Sequence, residues 1–131
     1  MSVAAAVLLG LTGGCRSVDA RQALDSRLEA LFDDSSRLEA LRAVVARRNA
    51  AQDASVERRA ELGELARGVN GDHASSSEDL LEVFEEFESA WKQYQDEVYA
   101  ASLEMRALTT ESEWRALADA DLESILATHG N

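Results

Sequence analysis

The stretch LLEVFEEFESAWKQYQDEVYAASLEMRAL, Leu80–Leu108, decides the fold of this 131-residue chain. Its residues Leu80, Phe84, Phe87, Trp91, Tyr94, Val98, Ala101, Met105 and Leu108 alternate spacings of four and three. That period puts all nine on one seam of a coiled-coil-like helix. Four consecutive seam positions are aromatic. A fully buried ring contributes about 2 kcal/mol or more, so the seam is expected to form a core against another helix.

The partner is expected on the N-terminal side. Arg67–Leu80, RGVNGDHASSSEDL, is the one long stretch of loop composition. Gly68 or Gly71 is expected to end a helix in the left-handed conformation, and Ser77 to cap the next. Glu78, Asp79 and Glu82 then place negative charge where the helix dipole favours it. A hairpin turning near Asp72 sets Trp91 opposite Ala54, Tyr94 opposite Ala50 and Ala51, and Val98 opposite Ala46. Small residues facing large rings leave room for the aromatics. Farther from the loop, Met105 and Leu108 meet Leu41 and Leu38.

Beyond Leu108, Thr110 and Glu113 have capping-box spacing ahead of a third helix with a stripe of Trp114, Leu117, Ala118, Leu122 and Ile125, closed by Gly130. A second stripe on the aromatic helix, Tyr99, Leu103 and Ala107, occurs where this third helix returns. Three helices are therefore expected at that end and two near the loop. The expected fold is all-α: an antiparallel hairpin with a third C-terminal helix, a coiled-coil-like bundle of three or four helices over about 16–67, 78–108 and 111–129. With no proline and 7 glycines, the chain carries few helix breakers.

The count of three or four turns on one segment. SRLEAL occurs at Ser26–Leu31 and again at Ser36–Leu41, separated by residues 32–35. Ser36 and Glu39 are placed to cap a restarted helix, while a continuous helix is equally compatible with the sequence. If the chain bends at Asp33, the apolar face of Leu24, Leu28, Leu31 and Phe32 joins the thicker end. If it does not, that face is a partner-binding or self-association surface.

Charge is distributed unevenly. Arg16–Arg67 holds ten arginines against ten acids, whereas the remainder holds three basic residues against fifteen acids and accounts for the whole net charge of −12. Such a surface repels phosphate backbones, so nucleic acid is not an expected partner. The arginine-rich half has a partner in the acidic half of its own chain.

The N-terminus reads MSVAAAVLLGLTGGCRS. Val3–Leu11 is too short to span a bilayer, for which about 20 apolar residues are needed, and it reads as the apolar region of a signal peptide. The single cysteine, Cys15, follows Thr12, Gly13 and Gly14. This arrangement resembles the lipobox of bacterial lipoproteins, and the resemblance covers residues 1–15 alone. It implies cleavage between Gly14 and Cys15, a domain of 15–131, and a Cys15 that carries the lipid attaching the protein to a membrane. Because Arg16 rather than Asp follows the cysteine, the resemblance further implies outer-membrane placement facing the periplasm. The lipoprotein pattern has a basic stretch before the apolar run, and its absence here leads to the expectation of a start codon further upstream or a trimmed chain. An ordinary cleaved export signal and a buried cytosolic cysteine are the other readings of this segment.

Chemistry-bearing constellations are few. One cysteine forms no intrachain disulfide, and His73 and His129 lie far from it in sequence. The run Glu82, Glu85, Glu86 and Glu88 reads as a solvated face, and Asp121 as the edge of a core. No phosphate loop, nucleophile elbow or zinc-type histidine pair is present, so neither a catalytic residue, a metal ligand nor a cofactor is expected. The sequence thus leads to a membrane-attached, non-catalytic binding or structural protein whose partner is another protein or a copy of itself. A soluble periplasmic protein, chaperone-like or stress-sensing, is the alternative.

Overall fold

A computed structural model describes residues 18–129. The fold is all-α, with four helices among the described residues: α1 (18–31), α2 (Ser35–Gly71), α3 (Ser77–Ala107) and α4 (Glu111–His129). None of these helices is long and apolar enough to cross a membrane. The segment that reads as a signal peptide, with Gly14 and Cys15, lies outside the described residues, as does Gly130.

Each junction follows from local polar chemistry. The helix of the first region stops at residue 31 and restarts at Ser35. Asp34 makes the restart: its Oδ1 accepts the Ser36 amide at 3.0 Å and its carbonyl accepts the Leu38 amide at 3.0 Å. The cap is thus Asp34 and not Ser36, because a carboxylate outcompetes a hydroxyl for the exposed amides at a helix N-terminus. At the next junction the capping residue is Ser76, one position ahead of the expected Ser77. Ser76 Oγ accepts the Asp79 amide at 3.2 Å, and Asp79 Oδ2 accepts the Ser76 amide at 2.9 Å, a reciprocal capping box.

The expected left-handed glycine is not found: no described glycine has a positive φ. Instead α2 continues through Gly68 to Gly71, and the Asp72 amide bonds back to the Gly68 and Val69 carbonyls at 3.1 and 3.3 Å. Asp72 Oδ1 then accepts the Ala74 amide at 2.9 Å and turns the chain. At the third junction the expected box forms. Thr110 Oγ1 accepts the Glu113 amide at 3.2 Å, and Glu113 Oε1 accepts the Thr110 amide at 2.8 Å.

The described chain forms two compact units, 18–43 with 105–129, and Val44–Glu104. Unit 1 draws on all four helices. Its buried residues are Leu24, Leu28, Phe32, Leu41, Met105 and Leu117, together with the polar Asp121 and Ser124. Ser124 donates its hydroxyl to the Asp121 carbonyl at 2.8 Å, which satisfies one buried polar group locally.

Charged groups tie the elements of unit 1 together. Arg42 bonds Asp25 of α1 at 2.7 and 3.1 Å and lies 3.6 Å from Glu29. Arg37 of α2 forms a two-point contact with Glu113 of α4, at 2.9 and 2.8 Å, and also donates to the Leu108 carbonyl at 3.4 Å. Its guanidinium lies 4.8 Å from the centre of the Phe32 ring, and Arg106 lies 5.2 Å from that of Trp114.

Unit 2 draws only on α2 and α3. Its buried residues are Val44, Leu62, Tyr94 and Ala101, with Arg48, Gln52 and Ser55. The arginine-rich helix meets the acidic one directly: Arg47 donates to Glu104 at 2.7 Å and Arg58 to Glu86 at 3.0 Å.

Candidate functional site

The buried side of α2 in unit 2 is a seam of mixed chemistry. Val44, Arg48, Gln52, Ser55 and Leu62 are buried, and their spacings of four, four, three and seven keep them on one helix face. Three of the five are polar. Arg48 and Gln52 are each only 1% exposed, so a guanidinium and a carboxamide occupy positions that an apolar residue would ordinarily take.

Gln52 Nε2 lies 3.5 Å from the Tyr94 hydroxyl, a long contact. It gives the phenol of the aromatic seam a polar neighbour, which a buried tyrosine ordinarily requires. Ser55 Oγ is buried without a hydrogen-bond partner among the described residues.

The alanines expected to receive the rings stand elsewhere. Ala46, Ala50 and Ala54 are exposed and Ala51 is half-buried, because the polar seam takes the inward face. Ala51 and Ala54 instead line a groove of about 530 Å³ between α2 and α3, with Ala90 and Ala101 on the opposite wall and Arg48 and Tyr94 also on its lining. Short side chains on both helices leave this volume open. Arg47, Arg58 and Glu104, members of the two inter-helix ion pairs, also line it.

The aromatic seam of α3 divides. Tyr94, Ala101 and Met105 are buried, and Leu80, Phe87, Val98 and Leu108 are half-buried. Phe84 and Trp91 remain 56% and 38% exposed, which corrects the expectation of a fully buried stripe. Two helices meet along a line and cover only the residues nearest it. The rings beside that line have no third helix over them in unit 2.

Trp91 is nevertheless held. Arg59 lies 5.7 Å from its ring centre, and the Tyr94 ring packs at 5.6 Å with a tilt of 44°. Leu81 and Tyr99, outside the seam, are 57% and 67% exposed.

Leu24, Leu28 and Phe32 are buried and Leu31 is half-buried, so with the helix interrupted at 32–34 this face belongs to the core of unit 1. His73 is exposed in the loop, and Glu82, Glu85, Glu86 and Glu88 are exposed on α3. Asp121 is buried. Among the described residues no three His, Cys, Asp or Glu side chains converge as a metal site requires.

The strongest electrostatic perturbation lies at a junction. The Arg37 guanidinium, then the Thr110 amide, hold the Glu113 carboxyl at about 2, below its ordinary 4.5. Glu113 also raises Arg37, so the pair remains charged across the ordinary pH range. Its geometry is that of a helix cap joined to a neighbouring helix, and its chemistry is structural.

Arg48, Gln52 and Ser55 are buried and Leu81 is exposed, none of them among the residues the sequence singles out. The first three share the period of Leu41 and Val44. That period was the available signal, carried by polar residues. Comparison with protein families, with characterised proteins and with solved structures finds no match to this chain.

Proposed function

We propose that this protein is a lipid-anchored component of the bacterial cell envelope, attached through Cys15 to the outer membrane and facing the periplasm, and that it acts by binding rather than by catalysis. The observation that carries the reading is the N-terminal segment VAAAVLLGLTGGC, an apolar run ended by two glycines and the single cysteine. Ahead of a helical body, that segment supplies attachment and no chemistry of its own. In this reading α2 and α3 form an antiparallel hairpin in unit 2, and the described residues hold four helices. The pairs Arg47–Glu104, Gln52–Tyr94 and Arg58–Glu86 support the hairpin.

Binding is supported by the large apolar residues that unit 2 leaves exposed, Leu81, Phe84, Trp91 and Tyr99 among them, since exposed apolar patches on a folded chain mark interaction sites. Several acyl chains on one cysteine make attachment close to permanent, each buried methylene contributing about 0.8 kcal/mol.

Intact mass after expression in a bacterial host is the test. The expected species begins at Cys15 and carries a diacylglyceryl group and a third acyl chain. A Cys15→Ser variant is expected to leave the membrane fraction, and its retention there would sink the anchor. The groove and the exposed rings of unit 2 also favour a second reading, a soluble periplasmic protein that holds clients. For that reading the mass would be that of the cleaved chain without lipid.

A further inference from the structure

One flank of α3 in unit 2, beside its contact with α2, combines large apolar residues with acids along one strip. Leu81, Phe84, Trp91 and Tyr99 are separated by three, seven and eight residues. At 3.6 residues per turn these steps keep the four positions within an arc of about 80°, so the side chains share one flank of the helix over about 27 Å. Their exposures of 57%, 56%, 38% and 67% leave each with substantial uncovered surface. Glu88 sits within the strip, four residues after Phe84 and three before Trp91, and Glu85 lies beside it, four residues after Leu81. Trp91 is fixed by the Arg59 guanidinium and the Tyr94 ring, so an anchor is already in position before anything binds.

Charge decides what covers the strip. Along or beside the strip stand Glu78, Glu85, Glu88 and Asp96 against two cations, Lys92, four residues after Glu88, and Arg59, which lies over the Trp91 ring, so this face remains net acidic. A second copy laid on this face would bring two such helices together, and an anionic membrane surface would meet the same repulsion. A helix with apolar residues three and four apart, flanked by Lys or Arg, satisfies both features at once: its apolar face covers the rings and its cations reach Glu85 and Glu88.

We infer that the Leu81–Tyr99 strip of α3 docks a basic amphipathic helix of a protein partner. This rests on the binding half of the proposed function and is independent of the lipid anchor.

The test uses the full chain carrying Cys15→Ser, which has no lipid, and Trp114→Phe, which leaves Trp91 as the single indole. The probe is a synthetic 18-residue peptide of leucine and lysine with amphipathic helical spacing, about 27 Å long when helical. The expected result is a saturable blue shift of Trp91 emission that weakens as salt is raised. Phe84→Ala, Leu81→Ala and the pair Glu85→Gln with Glu88→Gln, each with an unchanged circular dichroism spectrum, are expected to weaken binding roughly tenfold or more, as loss of an interface anchor does.

A peptide with the same leucines and glutamates in place of lysines is expected to give no shift. The inference is overturned by equal binding of the acidic peptide, by no saturable shift, or by folded variants that bind as the parent does. It is also overturned by a dimer in sedimentation that Phe84→Ala dissociates, which would assign the strip to a second copy, or by a Trp91 shift obtained only with phosphatidylglycerol vesicles. The lipid-free chain keeps these outcomes separate from the mass test of the anchor.

Discussion

Unit 1 buries Leu24, Leu28, Phe32, Leu41, Met105 and Leu117 and exposes three large apolar residues, Val18, Leu122 and Leu126. Unit 2 buries Val44, Leu62, Tyr94 and Ala101 and exposes Val56, Leu65, Leu81, Phe84, Trp91, Tyr99 and Leu103. The two long helices contribute to both units, so composition alone does not account for the contrast. What differs is the number of helices that share the core. Four helices surround a leucine layer, whereas two leave the outer side of each uncovered, and the α2 seam of unit 2 adds polar groups in place of apolar ones. One stretch of chain therefore closes its own core, and the other presents surface.

Substitutions break this contrast most strongly in unit 1. Leu28→Ala and Leu117→Ala each remove a side chain with no exposure, and each is expected to cost about 2–5 kcal/mol in urea unfolding. A cost below about 1 kcal/mol would mean that the unit 1 core is loosely packed.

The cap that starts α4 comes next. Thr110→Ala removes the acceptor of the Glu113 amide and is expected to cost about 1 kcal/mol. The same junction carries a pH dependence. Because Glu113 is held at about 2 in the folded chain against an ordinary 4.5, its contribution is present above pH 4.5 and is lost as pH falls from there through 2. Glu113→Gln is expected to flatten that part of the stability curve, measured by unfolding at successive pH values, and Thr110→Ala to narrow its range.

Smaller effects are expected within unit 2. Tyr94→Phe gives up a contact of 3.5 Å to Gln52, and because the bond is long the loss is expected at or below about 1 kcal/mol. Phe84→Ala and Tyr99→Ala truncate exposed side chains and are expected to change stability by no more than about 0.5 kcal/mol. A loss of several kcal/mol at Phe84 would show that the ring is part of a core in solution.

The same contrast separates what was legible in the sequence from what was not. The period of α3 and the Thr110–Glu113 box could be read directly, since apolar spacing and reciprocal capping are local properties. The interruption at 32–34 was legible only as one of two alternatives, because Asp34 acts through a short side-chain contact with no glycine or proline to announce it. The inward face of α2 differs from the expected one. Hydrophobicity led to the alanines, while the structure turns Arg48, Gln52 and Ser55 inward at the period set by Leu41 and Val44. The exposure of Phe84 and Trp91 was hidden for a related reason. Seam spacing tells which residues share a face and leaves undetermined how many helices cover it.

Amide hydrogen exchange, followed segment by segment on the full chain with and without the leucine–lysine peptide, tests the contrast most directly. Without peptide, amides of 18–43 and 105–129 are expected to exchange more slowly than those of 77–104, since local opening costs less where fewer apolar contacts must be broken. With peptide, the added protection is expected between Leu81 and Tyr99. Uniform protection in the absence of peptide, or added protection confined to 18–43, would contradict the division into a closed core and a binding surface.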